Sequence, residues 1–378
     1  MSVEYVPGLA GIPATRSKIG LIDGQRGKLS YRGYDVEELA DGSSYEEVAY
    51  LLFSGELPSQ GQLDDFVARL RNHRRLKFRI IDMLKALPEV GHPMDALAAT
   101  FSAVGMFYPP SIMDTPAGRW GSAIRILTKV PTMVAAFHRI RGGDEPLKPR
   151  DDLGHAANFL YMMTEQEPDP LVAKVLDVCL ILHAEHGMNA STFAARVSGS
   201  TLTDPFAVIS AATATLAGPL HGGANEDVLD MLRAIPGGKA GVRKWAEEQV
   251  SKKQKVPGFG HRVYKVKDPR AKILQKLAGQ IFDKFGSTPL YDIAQELERV
   301  MEELVGGKGV YPNVDFYSGI VYEKMQIPSD IFTPIFAIAR TAGWLSHWLE
   351  QLENNRIFRP SQIYEGDVDL SYKPIADR

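Results

Sequence analysis

From Tyr45 onward the apolar residues recur at helical spacing, as in Val48, Leu51 and Leu52, in Phe66 and Leu70, and in Leu171, Val172, Val175, Leu176, Cys179 and Leu182. Proline-bearing breaks cut this pattern repeatedly: Leu57-Pro58-Ser59, Tyr108-Pro109-Pro110, Glu167-Pro168-Asp169-Pro170, Asp204-Pro205 and Ile235-Pro236-Gly237-Gly238. Proline has no backbone N–H and clashes with the preceding turn, so each break separates helices. Ten or more helices with short connections are expected. Only Ile19 to Tyr31 reads differently: two alternating apolar stretches flank Asp23-Gly24 and Gly27, a β-hairpin pattern. Neither a βαβ alternation nor a repeat is visible, which disfavours a doubly wound sheet and a solenoid. The expected fold class is mainly α with a small N-terminal β-hairpin.

A chain of 378 residues has room for two domains. Its 43 Lys and Arg against 46 Asp and Glu leave a formal charge of -3, so no overall field draws nucleic acid or an anionic membrane, and any anion site is local. The lone Cys179 excludes an intramolecular disulfide framework and multi-cysteine metal sites, and fits a reducing compartment. The start, Met1 to Gly8, has neither a secretory nor an Arg-rich leader pattern, so a cytoplasmic location is expected. The longest uncharged run, Phe206 to Asn225, contains Gly218, Pro219, His221, Gly222 and Gly223, which break a helix too early to cross a membrane.

Several residues stand in positions suited to chemistry. Between Ser251 and Arg270 seven basic residues (Lys252, Lys253, Lys255, Arg262, Lys265, Lys267, Arg270) accompany one acid, Asp268, around the loop Pro257-Gly-Phe-Gly260. Such a segment is either a solvated basic face or a site for a polyphosphorylated ligand held by lysines and glycine amides. No Walker pattern is present, since neither Gly-Lys239 nor Gly-Lys308 is followed by Ser or Thr. His221 and His261 each lie beside glycines, where a ring can face an open cleft; for either alone, helix capping or a satisfied core histidine stays open. His183 and His186 lie at the end of an apolar helix with Gly187 as its stop, and their spacing, with Glu185 between, departs from the zinc-protease pattern. His186 is expected to project from that helix into a cavity. Asp315, in Tyr311-Pro-Asn-Val-Asp-Phe-Tyr-Ser318, is at a helix start. It either complements the helix dipole or, poorly hydrated between Val314, Phe316 and Tyr317, has the raised basicity of a general base.

The stretches Gly218-Pro-Leu-His-Gly-Gly-Ala-Asn225, Gly258-Phe-Gly-His-Arg-Val-Tyr-Lys-Val-Lys-Asp-Pro-Arg270, Pro312-Asn-Val-Asp-Phe-Tyr317 and His183-Ala-Glu-His-Gly-Met-Asn-Ala-Ser191 together resemble the citrate synthase family. The similarity runs from Pro7 to Gly366. It implies a two-domain helical fold, with a large domain of residues 1–220 and 326–378 and a small domain of residues 221–325, separated by the active-site cleft. It implies condensation of acetyl-CoA with oxaloacetate to citryl-CoA and hydrolysis to citrate and CoA, the opening step of the tricarboxylic acid cycle. No metal and no tightly bound cofactor is expected; acetyl-CoA is substrate and CoA product. By resemblance Asp315 is the base, His221 the donor to the enolate oxygen, and His261 the group that polarises the ketone. Arg270, Arg340 and Arg359, with His186, would hold the carboxylates of oxaloacetate, for which planar guanidinium groups are suited. Lys255, Pro257, Gly258, Phe259, Gly260, Arg262 and Lys265 would hold CoA. The family takes the last arginine from a neighbouring subunit, which implies a homodimer or a higher homo-oligomer, with no nucleic-acid or membrane partner. A 2-methylcitrate synthase using propionyl-CoA and a catalytically silent helical scaffold are the competing readings; one methylene in a pocket is worth only about 1–3 kcal/mol.

Overall fold

The computed structural model describes residues 5–222, 224–261 and 263–378. Strands β1 (Gly20–Asp23) and β2 (Lys28–Tyr31) pair antiparallel, with Gly20 opposite Tyr31 and Asp23 opposite Lys28. The hairpin expected from the sequence is extended by a third strand, β3 (Tyr34–Asp35), which folds back on β2 through a turn in which Arg32 and Gly33 take positive φ. Sixteen α-helices follow among the described residues. They are α1 (Val36–Gly42), α2 (Tyr45–Ser54), α3 (Gln60–His73), α4 (Phe78–Lys85), α5 (Pro93–Gly105), α6 (Pro116–Arg141), α7 (His155–Thr164) and α8 (Pro170–His183), then α9 (Ala190–Ser200) and α10 (Pro205–Leu216). The rest are α11 (Ala224–Ala234), α12 (Val242–Ser251), α13 (Pro269–Phe285), α14 (Pro289–Val305), α15 (Val314–Lys324) and α16 (Phe332–Glu353). No described helix is long and apolar enough to cross a membrane.

Two of the prolines that break the sequence pattern, Pro170 and Pro205, are helix starts, whereas Pro58 precedes the Ser59 cap of α3 and Pro236 follows the end of α11. In α8, α10 and α13 an aspartate caps and a proline occupies the first turn: Asp169, Asp204 and Asp268 each accept a backbone N–H two residues on. Proline is suited to that place because its missing N–H would have no helical partner anyway.

Helix α16 is a centre of helix packing. It is buried along most of its length, Trp344 and Trp348 completely, and packs on α2, α6, α8, α9 and α10. An apolar surface all round is what such a position requires. Helices α11 to α15 pack chiefly on one another, α13 on α15, α12 on α14 and α11 on α15, and meet the rest of the chain through α1, α8 and α16. The turn between β1 and β2 also reaches this group, where the Lys265 N–H donates to Gly24 O at 2.9 Å.

Two hydrogen bonds stitch α16 to the end of α8: Arg340 Nε to His183 O at 2.7 Å and Gly343 N to Ala184 O at 3.0 Å. This approach needs a glycine, because a Cβ on residue 343 would lie 2.4 Å from Ala184 O and 2.6 Å from Glu185 Oε2. Gly343→Ala therefore overpacks the junction, and we expect a loss of about 1–3 kcal/mol of stability. Urea unfolding checks this; an unchanged midpoint would show that the helix can shift at no cost.

Candidate active site

The end of α8 sets the first side chain. The Tyr31 hydroxyl, at the end of β2, lies 3.1, 3.3 and 3.0 Å from the carbonyl oxygens of Ile181, Leu182 and Glu185, and Arg340 takes that of His183. The helix therefore stops at His183, and His186 stands in the following turn. This corrects the expectation that His186 projects from the helix itself: groups distant in sequence satisfy the terminal carbonyls that a further turn would have used. His186 Nε2 lies 3.2 Å from the Tyr264 hydroxyl, and its ring centroid is 5.2 Å from that of His261. Burial, then the charges of Arg270 and Arg340, keep His186 far below the usual histidine range.

His221 and His261 have their tautomers set by backbone amides. Ser191 N–H donates to His221 Nε2 at 3.3 Å, and Ser191 Oγ lies 2.8 Å from the same nitrogen while accepting from Trp344 Nε1 at 3.1 Å. An amide N–H can only donate, so Nε2 is bare and the ring proton is on Nδ1. In His261 the roles are reversed: Nδ1 accepts from the amides of Val263 and Tyr264 at 3.0 and 3.1 Å, leaving the proton on Nε2. Burial pushes both rings down to about 4, helped by Arg340 at His221 and Arg270 at His261. Both are neutral donors at pH 7.

Asp315 lies in the first turn of α15, whose cap is Asn313: Asn313 Oδ1 accepts the Asp315 N–H at 3.0 Å, and Asn313 Nδ2 donates to Gly260 O at 3.0 Å. Two more bonds, Asn313 N to Gly258 O at 2.9 Å and Gly260 N to Tyr311 O at 2.8 Å, zip the glycine loop to the helix start. Gly258 has φ 77°, and a Cβ there would lie 2.8 Å from Val228 Cγ2 and 2.9 Å from Phe316 Cδ2, so only glycine fits. The loop that carries His261 is thereby tied to the helix that carries Asp315. Burial raises the Asp315 carboxyl to about 6 against the pull of Arg270.

Arg270 and Arg340 are both buried. Arg270 is gripped in bidentate fashion by Asp268, Nε to Oδ1 at 3.1 Å and Nη2 to Oδ2 at 2.8 Å; burial opposes its charge, and that carboxylate more than offsets the cost. Arg340 has no carboxylate within ion-pair distance among the described residues, lies over the Phe336 ring at 4.6 Å, and is drawn down to about 10 by burial. Both charges act on His186 and Asp315. Arg359 is not brought to this cluster; it is exposed on the extended segment after α16, whose root is fixed by the Phe358 N–H donating to Ser200 Oγ at 3.1 Å.

The basic segment is less cationic than its sequence suggests. Lys252 pairs with Glu248, Lys267 with Glu298 and Arg270 with Asp268. Lys253, Lys255 and Lys265 form no ion pair among the described residues, and Lys255 and Lys265 are exposed on either side of the loop. Pro257 is half-buried, and Phe259 packs on Phe316 with ring centroids 4.8 Å apart. Arg262 lies outside the described residues. Among the described residues no group of His, Cys, Asp and Glu could hold a metal ion. Ser191, Asn189 and Tyr264 lie within the motifs without a role legible in the sequence; Asn189 as a cap residue ahead of helix α9 was the available signal.

The fold and the site define a class: a mainly helical protein with two buried guanidinium groups, two histidines held neutral and a carboxyl of raised pKa. Residues 8–361 match the family model described as "Citrate synthase, C-terminal domain". The chain is 59% identical over 374 residues to citrate synthase of a Synechocystis species, covering 99% of this chain and 94% of that one. Citrate synthase from Pyrobaculum aerophilum superposes with a TM-score of 0.93 at 42% identity, covering 98% of this chain and 95% of that one. A ternary complex of the Thermoplasma acidophilum citrate synthase with carboxymethyl coenzyme A and oxaloacetate gives 0.92 at 31% identity, covering 99% of this chain and 100% of that one. The chain belongs to the citrate synthase family, whose members are acyltransferases.

The Asp315 carboxyl has a consequence for stability. The folded chain holds its proton more tightly than the unfolded chain does, so rising pH removes stability between the ordinary aspartate range and about 6. The loss at neutral pH is about 1–3 kcal/mol. Asp315→Asn should therefore melt above the wild type at pH 7.5, with the difference closing as the pH falls toward 4. An Asn variant that melts lower at pH 7.5 would contradict the burial argument.

Proposed function

We propose that this chain condenses acetyl-CoA with oxaloacetate to citryl-CoA and hydrolyses it to citrate and CoA, opening the tricarboxylic acid cycle, and that it does so in the cytoplasm. The observation that carries this reading is a pair of neutral histidines with opposite tautomers, one of them on a loop hydrogen-bonded to the helix start that holds a carboxyl of raised basicity. A thioester methyl is a weak carbon acid. Removing one of its protons needs a base at contact distance and a hydrogen bond to the oxygen on which the enolate charge develops. Asp315 takes the methyl proton while His221 Nδ1–H donates to the thioester oxygen, a contribution of about 3 kcal/mol. His261 Nε2–H donates to the ketone oxygen of oxaloacetate, drawing electron density from the carbon that the enolate attacks. Being neutral, both rings donate without adding a full charge to the pocket.

Arg270 and Arg340 hold the carboxylates of oxaloacetate, with His186 as a further contact. Residues 1–220 and 326–378 form a large domain and residues 221–325 a small one; oxaloacetate binds first, draws them together, and closure completes the acetyl-CoA site. Lys255, Pro257, Gly258, Phe259, Gly260, Arg262 and Lys265 hold CoA. The unit is a homodimer in which Arg359 of each copy reaches the site of the other; its exposed place on the tail, away from its own cluster, supports this.

Thiol release measured with acetyl-CoA and with propionyl-CoA, with and without oxaloacetate, tests the activity. We expect acetyl-CoA to be preferred and release to require oxaloacetate; preference for propionyl-CoA would overturn the substrate, and no release the function. Asp315→Asn should lower kcat by about a hundredfold or more with oxaloacetate binding kept, because the amide keeps the shape and loses the base. Arg270→Leu should mainly weaken oxaloacetate binding. Retention of a tenth of wild-type turnover in Asp315→Asn would defeat its assignment as base.

Subunit sharing has its own test. Arg359→Ala and Asp315→Asn, each inactive, should regain activity when mixed, because a hybrid dimer holds one site with both residues intact. Recovery near a quarter of wild type is the ceiling for random exchange of equal subunits, roughly half hybrids with one good site in two. Verified exchange without recovered activity would place Arg359 in its own chain's site.

A further inference from the structure

Glu185 stands between His183 and His186, and the chemistry above does not use it. It is completely buried, and a buried carboxylate persists only with partners. Oε1 accepts the Gly187 N–H at 2.5 Å and lies 3.1 Å from His347 Nε2. His347 Nδ1 in turn accepts from Arg196 Nε at 3.0 Å, so the His347 proton sits on Nε2 and points at Glu185. Arg196 is fixed by Gln351 Oε1 at 3.0 Å and by Glu350. The second oxygen, Oε2, has no hydrogen-bond partner among the described residues and faces Gly343 of α16. Three residues earlier on the same helix is Arg340, bonded through Nε to the carbonyl of His183. After burial, Glu185 is the largest influence on the Arg340 charge, and it favours that charge.

We propose that Glu185 is a positioning residue of the oxaloacetate site, anchoring the His186–Gly187 turn through the Gly187 amide and acting as the buried counter-charge of Arg340. His347 and Arg196 hold the carboxylate in place for both tasks, as supporting groups do around a rigid site. In the empty enzyme Asp268 balances Arg270 and Glu185 balances Arg340. When the dicarboxylate arrives, it meets guanidinium groups already charged and held at fixed distance from the turn that carries His186.

The inference rests on the proposed function, and the order of measurement keeps the two apart. Citrate formation by the wild type is measured first; its absence removes the proposed function, whereas the variants below speak only to Glu185. Glu185→Ala should raise KM for oxaloacetate about tenfold or more while KM for acetyl-CoA, at saturating oxaloacetate, changes less than about twofold. Glu185→Asp keeps the charge and should return KM for oxaloacetate to within about threefold of wild type. An unchanged KM for oxaloacetate in Glu185→Ala, or equal rises for both substrates, would overturn the proposal in favour of a purely structural residue. Should the alanine variant not fold, Glu185→Gln decides. Gln keeps an acceptor for Gly187 and removes the charge, so oxaloacetate should raise its Tm by less than it raises that of the wild type, because Arg340 is no longer held charged ahead of the substrate. Equal Tm shifts would overturn the proposal.

Discussion

Two guanidinium groups buried in a helical protein are the constraint on which the rest of this structure depends. Taking a charge out of water costs several kcal/mol unless partners replace the solvent, so the fold has to supply those partners before a substrate arrives. Arg270 has Asp268, two residues earlier on the cap of its own helix, in bidentate contact. Among the described residues Arg340 has a carbonyl, the face of Phe336 and the field of Glu185. Its solution is tertiary: α16 runs against the end of α8 closely enough that residue 343 has to be glycine.

The same burial and the same positive charges separate the protonation states of the groups around them. Histidines near Arg270 and Arg340 are driven neutral, while Asp315, half-buried at the start of its helix, has its carboxyl raised to about 6 by desolvation against the pull of Arg270. Backbone amides then decide which nitrogen of each neutral ring carries the proton: one amide at His221, two at His261. Tautomer and orientation are thus written into local main-chain geometry, which a side-chain substitution nearby does not easily disturb.

Much of this was legible in the sequence where the cause is local. Asp-Pro pairs mark helix starts because cap and proline act within three residues, and Asn313 ahead of Asp315 follows the same rule. What failed was non-local. His186 reads as part of α8 until the Tyr31 hydroxyl, about 150 positions away, and the Arg340 guanidinium come up against the carbonyls at its end. The basic run from Ser251 to Arg270 reads as cationic until Glu248 and Glu298 neutralise two of its lysines. Ser191 has no visible role until folding lays His221 and Trp344 on either side of its hydroxyl. The short β3 carried no pattern of its own, since two residues cannot show an alternation.

The central claim is that two neutral rings with opposite tautomers face the substrate, and nitrogen-15 NMR of histidine-labelled protein reads it most directly. Spectra of the wild type and of His221→Ala and His261→Ala variants, used for assignment, would be followed from pH 8 to pH 5. The account predicts a protonated Nδ1 and bare Nε2 for His221, the reverse for His261, and neither ring titrating above pH 5, in keeping with values near 4. An imidazolium at pH 7, or the same tautomer in both rings, would contradict it.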